Sequence, residues 1–93
     1  MLMDQLIYPA IQGTEETQIR AAIGNALQSW LLASGLTQTA AAAVLGTTQA
    51  RVSEIKHGKT AHFSLDLLVR LAARAGLQPT LSLIMPGPLG KLP

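Results

Sequence analysis

Five positions between residues 49 and 57 carry side chains suited to contacting the edges of nucleic-acid bases. Successive residues of a helix are rotated by about 100°, so these positions share one face if Val52 and Ile55 turn inward. An amide such as Gln49 can offer a donor and an acceptor to an adenine edge, and a carboxylate such as Glu54 can accept from a cytosine amine. The predicted face carries no large apolar side chain and consists of Gln49 at its edge, Ala50, Ser53, Glu54 and His57. This pattern is typical of a helix that lies in the major groove of DNA.

Positive charge is concentrated around this face. The chain has a net charge of +2. Its first twenty residues are acidic overall, whereas residues 47–63 carry three basic side chains against Glu54. A basic patch confined to one segment favours a polyanionic partner. Backbone amides at the start of the preceding helix can also hold a phosphate. The positions expected to contact the DNA backbone are Thr37, Gln38, Thr48, Arg51, Lys56 and Lys59.

Four helices are predicted to position these residues, from the helical spacing of apolar side chains and from Thr and Ser residues at N-cap positions. The expected helices are Glu15 to Ala33, Gln38 to Leu45, Gln49 to about His57, and Leu65 to Ala75. Each is expected to end at a glycine, namely Gly35, Gly46, Gly58 and Gly76. Ala41 and Leu45 form the predicted inward face of the second helix. Gly24, inside the first helix, is expected to mark a close helix crossing.

The two ends of the chain lack the helical spacing of apolar residues that the middle part shows. Residues 1–14 are predicted to form an arm, with a short strand or arm at 6–8 that Pro9 ends. Thr80 to Met85 alternate between two faces, which predicts a strand. A single strand needs a partner, either residues 5–8 or the same strand of a second chain. We expect residues 78–85 to mediate dimerisation and the Pro- and Gly-rich residues 86–93 to be disordered.

Composition excludes several other classes of protein. There is no cysteine, so disulfides and thiolate metal sites are excluded, and we expect a cytoplasmic protein. No apolar run reaches the roughly 18 residues that a membrane helix needs. His57 and His62 have no paired ligands at metal-binding spacing, so they are expected to be solvated or close to phosphate. Ser53 and Ser64 have no predicted neighbouring base. No enzymatic activity and no cofactor are therefore expected.

A pattern of twelve residues lies between positions 36 and 59, namely Leu36, Thr37, Gln38, Ala42, Leu45, Gly46, Gln49, Val52, Ser53, Ile55, Gly58 and Lys59. In the order and spacing of these residues, the segment resembles the phage-repressor-like, Cro/C1-type (XRE) helix-turn-helix family. This resemblance covers about residues 17–77. A narrower resemblance to HigA-type antitoxins, encoded beside HigB-like toxins, extends to about Met85. It depends on Phe63, Ser64, Leu65, Leu68, Leu71 and Gly76.

The resemblance implies an all-α, lambda-repressor-like bundle of four to five helices with a helix-turn-helix at residues 15–77, to which the sequence adds a short C-terminal β-strand. It further implies a homodimer that binds a palindromic operator in double-stranded DNA and represses transcription. Gln49, Ala50, Ser53 and Glu54 would face bases, and Gln38 and Lys59 would contact phosphates. Two positions depart from the pattern: Ala40 stands where Glu is common, and Thr47 stands where Val or Ile is common.

Several alternatives stay open at the level of sequence. Three functions are compatible with the sequence: an antitoxin-type autorepressor that also binds a HigB-like toxin, a transcriptional regulator without a toxin, and a helical interaction module that does not bind DNA. Glu54 either contacts a base or lies on a solvated surface, where Arg51 is a further potential partner. Trp30 is expected in the core of the first helix.

Overall fold

The computed structural model describes residues 2–80 of the chain, with side chains described from residue 15 to 80. Within these residues the protein contains four α-helices and no strand. The helices are α1 (Leu2–Ser34), α2 (Gln38–Leu45), α3 (Gln49–Lys56) and α4 (Leu65–Arg74). Helices α1 and α4 pack against each other, and both contact the pair formed by α2 and α3.

The first helix is longer than the sequence pattern predicts. It begins at Leu2 instead of Glu15, so the expected arm over 1–14 is corrected to helix from residue 2 onward, and this includes the strand or arm expected at 6–8. Pro9 lies inside this helix. A proline removes one helical hydrogen bond and costs about 3 kcal/mol in a helix interior, but the Leu, Met, Gln and Ala residues around it favour helix. Pro9 therefore does not end the element.

The three shorter helices begin as predicted. The hydroxyls of Thr37, Thr48 and Ser64 accept hydrogen bonds from the backbone amides of Ala40, Arg51 and Leu67, respectively. Such caps satisfy amides that the first helical turn leaves without partners. α3 and α4 end one residue before the predicted His57 and Ala75, which are their C-caps.

The core is aliphatic and lies where the four helices meet. The apolar residues without exposed surface are Leu27, Ala41, Leu45, Val52, Ile55 and Leu68, and the other buried apolar residues are Leu31, Ala42, Phe63, Leu71 and Ala72. The predicted inward faces of α2 and α3 are confirmed by this burial. Trp30 is half-buried and packs against the core.

Gly24 marks a close approach, although the neighbour is not a helix. It is buried, and a Cβ atom built on it would overlap the hydroxyl of Thr60 in the loop after α3. Thr60 is itself buried. The expected helix crossing is thus corrected to a contact between α1 and a loop, since the three atoms nearest to the missing side chain all belong to Thr60.

The predicted C-terminal strand falls largely outside the described residues. Residues 78–80 belong to no helix or strand. The remainder of the predicted strand, 81–85, and the predicted tail, 86–93, lie beyond the part of the chain that the structure describes.

Candidate nucleic-acid interface

A tight turn joins α2 to α3 and sets the direction of the second helix. Gly46 has φ +64°, a left-handed conformation that glycine adopts without steric cost. The amides of Gly46 and Thr47 bond to the carbonyls of Ala43 and Ala42 at 3.3 and 3.0 Å, which is the Schellman pattern at a helix C-terminus. Thr48 then caps α3, so only two residues separate the end of one helix from the cap of the next.

Arg74 stabilises this turn from the last turn of α4. Its Nη1 donates to the carbonyls of Leu45 and Gly46 at 3.1 and 3.3 Å. A cation placed there satisfies carbonyls left free at the C-terminus of α2 and complements its negative dipole end. Sequence alone relates Arg74 only to the dipole of its own helix, and no local signal identifies this distant contact.

The opposite end of α3 is held by α1 and by its own chain reversal. The side-chain amide of Gln28 donates to the carbonyl of Lys56 at 2.9 Å. Gly58 has φ +70°, and the amides of Gly58 and Lys59 bond back to Ile55 and Glu54. The role of Gln28 was missed by sequence reasoning, because its partner lies 28 residues away. Both ends of α3 are thus anchored to other parts of the fold.

With Val52 and Ile55 buried, the predicted face of α3 points away from the core. We call the surface formed by Gln49, Ala50, Ser53, Glu54 and His57 the reading face. The side chains at 49, 50 and 57 are exposed, and those at 53 and 54 are half-buried. The structure therefore brings the five predicted residues together on one accessible surface without a large apolar group.

Two members of the reading face already have hydrogen-bond partners. The Glu54 carboxylate lies 3.0 Å from Nε2 of His62, which is in the loop before α4. The His57 ring contacts the carbonyl of Ser53 through Nδ1 at 2.8 Å. Neither partner was predicted, and the contact with His62 ties the reading face to the following loop. Gln49 and Ala50 are the two members at the N-terminal end of α3.

The predicted backbone contacts border this face. Arg51, Lys56 and Lys59 are exposed, and within residues 15–80 none of them makes a salt bridge. Thr37 and Thr48 use an oxygen lone pair for capping, which leaves each hydroxyl hydrogen able to donate to a phosphate oxygen. Gln38 is half-buried at the start of α2. Cations and hydroxyl donors therefore border a polar helix face, an arrangement suited to the phosphates beside a groove.

The fold and this surface define a helix-turn-helix domain. A family model described as a helix-turn-helix domain matches residues 9–84. Because this match spans most of the chain, the protein belongs to that family, and membership indicates a DNA-binding regulator. No curated protein and no solved structure gives a significant match to the chain.

Two other features are absent from the part of the chain that the structure describes. No helix between residues 2 and 80 combines the length and apolar character that crossing a membrane requires. The same part of the chain brings together no group of three His, Cys, Asp or Glu side chains that could hold a metal ion.

Proposed function

We propose that this protein is a sequence-specific transcriptional repressor of the Cro/C1-type (XRE) kind, which binds a palindromic operator and blocks the promoter. The observation that carries the proposal is the reading face of α3, which is accessible, polar and bordered by Arg51, Lys56 and Lys59. Gln49 would contact an adenine edge and Ala50 a thymine methyl group. Ser53 would hydrogen-bond a base, and the bordering cations would neutralise phosphates.

The proposal includes a homodimer, because a palindrome requires two reading faces about 34 Å apart, one turn of DNA. An apolar groove between α1 and α4 supports it. Ile19 and Val69 line this groove and are 39% and 40% exposed, and the described chain ends at Thr80 on its rim. The segment predicted to pair between two chains therefore starts beside an apolar surface that residues 15–80 leave accessible. We assign this groove to a second copy of the chain.

Selection of random duplex DNA on the purified protein, at a salt concentration near physiological, tests the function. We expect enrichment of an inverted repeat. A variant that places a carboxylate on the reading face, Ala50→Asp, should lose this enrichment. Ala21→Asp, at an exposed alanine of α1, is the matched control and should retain it. If the unmodified protein enriches nothing above the random background, the repressor proposal is wrong and an interaction module becomes the better hypothesis.

The finer proposal is an antitoxin-type autorepressor that also binds a HigB-like toxin. The residues behind that resemblance are structural here, since Phe63, Leu68 and Leu71 are buried and Ser64 is a helix cap. They support the fold of any such regulator, so the repressor proposal does not depend on a toxin. Co-expression with the product of the adjacent gene, followed by native mass spectrometry, tests this proposal. A stoichiometric complex supports the antitoxin, whereas two separate species leave a regulator without a toxin.

A further inference from the structure

Three arginines line one surface cavity beside the helix-turn-helix turn. Arg51 comes from α3, and Arg70 and Arg74 come from α4. The cavity has a volume of about 270 Å³, and no acidic side chain is among the residues that line it. A cluster of three positive side chains is energetically unfavourable, because their mutual repulsion opposes the compact state. An anion in the cavity would offset this repulsion.

The guanidinium groups retain donors for such an anion. Within residues 15–80, none of the three arginines pairs with a carboxylate. Arg74 uses Nη1 on the carbonyls of Leu45 and Gly46, and Arg70 uses Nε on the carbonyl of Asp66 at 3.5 Å. A guanidinium carries five N–H donors. Each arginine therefore keeps several N–H groups available.

Two hydroxyl groups complete the set of donors. Thr47 lines the cavity, and its Oγ1 is buried without a hydrogen-bond partner in the described part of the chain. A buried polar atom without a partner is unusual in a folded protein, so this hydroxyl is one further hydrogen-bonding group at the cavity wall. Ser64 also lines the cavity and accepts from the amide of Leu67, so its hydroxyl hydrogen is free to donate. The polar side chains of the wall thus supply donors to a negatively charged acceptor.

We propose that this cavity binds a phosphate group. Phosphate has oxygens in several directions, and the residues that carry the donors come from α3, α4 and the turn, whereas a carboxylate offers two oxygens in one plane. Arg51 both borders the reading face and lines the cavity, so it links the two surfaces. A backbone phosphodiester of DNA or a free phosphate monoester would meet the same donors. The DNA form of this inference rests on the proposed function, whereas the free-phosphate form does not.

The first arm of the test measures DNA affinity against salt concentration. Arg70→Ala should reduce the slope of log K against log salt by about 0.9 for the lost phosphate contact, equally on operator and random DNA. The matched control is Arg20→Ala, which removes the same charge from α1 outside the cavity and should leave the slope unchanged. Circular dichroism confirms that each variant is folded.

The second arm titrates inorganic phosphate against acetate at constant ionic strength and follows the Thr47 and Ser64 amides by NMR. We expect saturable shifts with phosphate alone, weakened several-fold by Arg70→Ala. Thr47→Val adds a second readout. It should raise the thermal stability of the free protein by removing the buried hydroxyl, and it should weaken phosphate binding. A merely structural Thr47 would not couple these two effects.

The outcomes separate the sources of the phosphate from the function. A reduced slope without shifts identifies the DNA backbone, and shifts without a reduced slope identify a free phosphate, even if the protein binds no DNA. Both effects together support both sources. An unchanged slope with no phosphate-specific shift overturns the site while leaving DNA binding intact. Equal shifts with acetate also overturn it and indicate a carboxylate ligand such as an acidic peptide.

Discussion

Glu54 is the single carboxylate on the reading face, and the fold gives it a partner that its local sequence does not reveal. His62 lies eight positions later, yet its Nε2 is 3.0 Å from the carboxylate. A base amine would have to compete with this contact. The geometry therefore favours a Glu54 that acts through charge close to the phosphates over one that selects a base.

We expect Glu54→Gln to raise the affinity for random DNA by about two- to threefold, because one like charge near the phosphates is removed. Preference among operator sequences should persist. Fluorescence anisotropy on the operator and on single-position variants measures both effects. Loss of preference at one C·G pair would show that the carboxylate reads cytosine instead.

Gln49 and Lys59 are predicted to have different roles, and their alanine variants distinguish these roles. Gln49→Ala should weaken operator binding by about 1–3 kcal/mol and relax one base position. Lys59→Ala should weaken binding to all sequences alike and reduce the salt slope by about 1. Parallel titrations on operator and random DNA at several salt concentrations test this. Equal losses on both DNAs for both variants would contradict the assignment.

Gly24 gives a prediction that runs against helix propensity. Alanine is favoured over glycine in a helix by about 1 kcal/mol, but a Cβ here would overlap the Thr60 hydroxyl. Gly24→Ala should therefore destabilise the protein, as measured by urea unfolding. The double variant Gly24→Ala/Thr60→Ala should recover part of the loss, because the overlapping oxygen is gone. If the double variant is no more stable than Gly24→Ala alone, the overlap with the Thr60 hydroxyl is not the cause of the destabilisation.

At the scale of elements, the turn between α2 and α3 depends on a helix that lies outside the motif. Arg74 in α4 bonds to two carbonyls at the end of α2, and Gln28 in α1 bonds to the end of α3. The helix-turn-helix is consequently held from both sides by side chains of the flanking helices.

Arg74→Met keeps the apolar stem of the side chain but removes its donors, so we expect the free energy of unfolding to fall by about 1 kcal/mol. Arg70→Met is the matched control. Among residues 15–80, Arg70 bonds only within its own helix, at 3.5 Å, and its replacement should change the free energy of unfolding by less than about 0.5 kcal/mol. Urea unfolding measures both. Equal effects would mean that the cap on α2 contributes nothing particular to stability.

At the scale of the whole molecule, the groove between α1 and α4 sets the proposed assembly. Its lining residues include Ile23, Leu65 and Leu77 as well as Ile19 and Val69. Isolated exposed apolar residues are common on proteins, but a contiguous apolar groove more often marks a contact surface.

Val69→Lys should shift the protein from dimer to monomer at micromolar concentration, because a charge would be buried in the contact. Val44→Lys is the matched control. Val44 is 46% exposed on α2 and does not line the groove, so its replacement should leave the mass unchanged. Light scattering coupled to size exclusion measures the mass. A monomeric parent protein, or identical behaviour of the two variants, would contradict the dimer.

Local chemistry in the sequence was sufficient for the helices around the motif and for the reading face. Caps at Thr37, Thr48 and Ser64 and the glycine stops depend on residues within a few positions of each other, so spacing alone predicts them. The inward direction of Val52 and Ile55 follows from apolar periodicity, and the opposite face of α3 follows from the helical repeat. Pro9 is the exception, because its local signal predicts the end of a helix, whereas α1 continues through it.

The contacts that complete the site were decided only by tertiary structure. Residues of different elements are joined in the pairs Glu54–His62, Gln28–Lys56 and Arg74–Leu45. The cavity likewise combines Arg51 of α3 with Arg70 and Arg74 of α4. The spacing of polar residues along a helix does not identify their distant hydrogen-bond partners, since many other positions could supply the same donor or acceptor. Buried apolar residues, by contrast, recur at the helical period along the chain and can be located from it. The sequence by itself therefore determined which faces turn inward and which polar face of α3 stays accessible, while packing determined which charges and donors lie together.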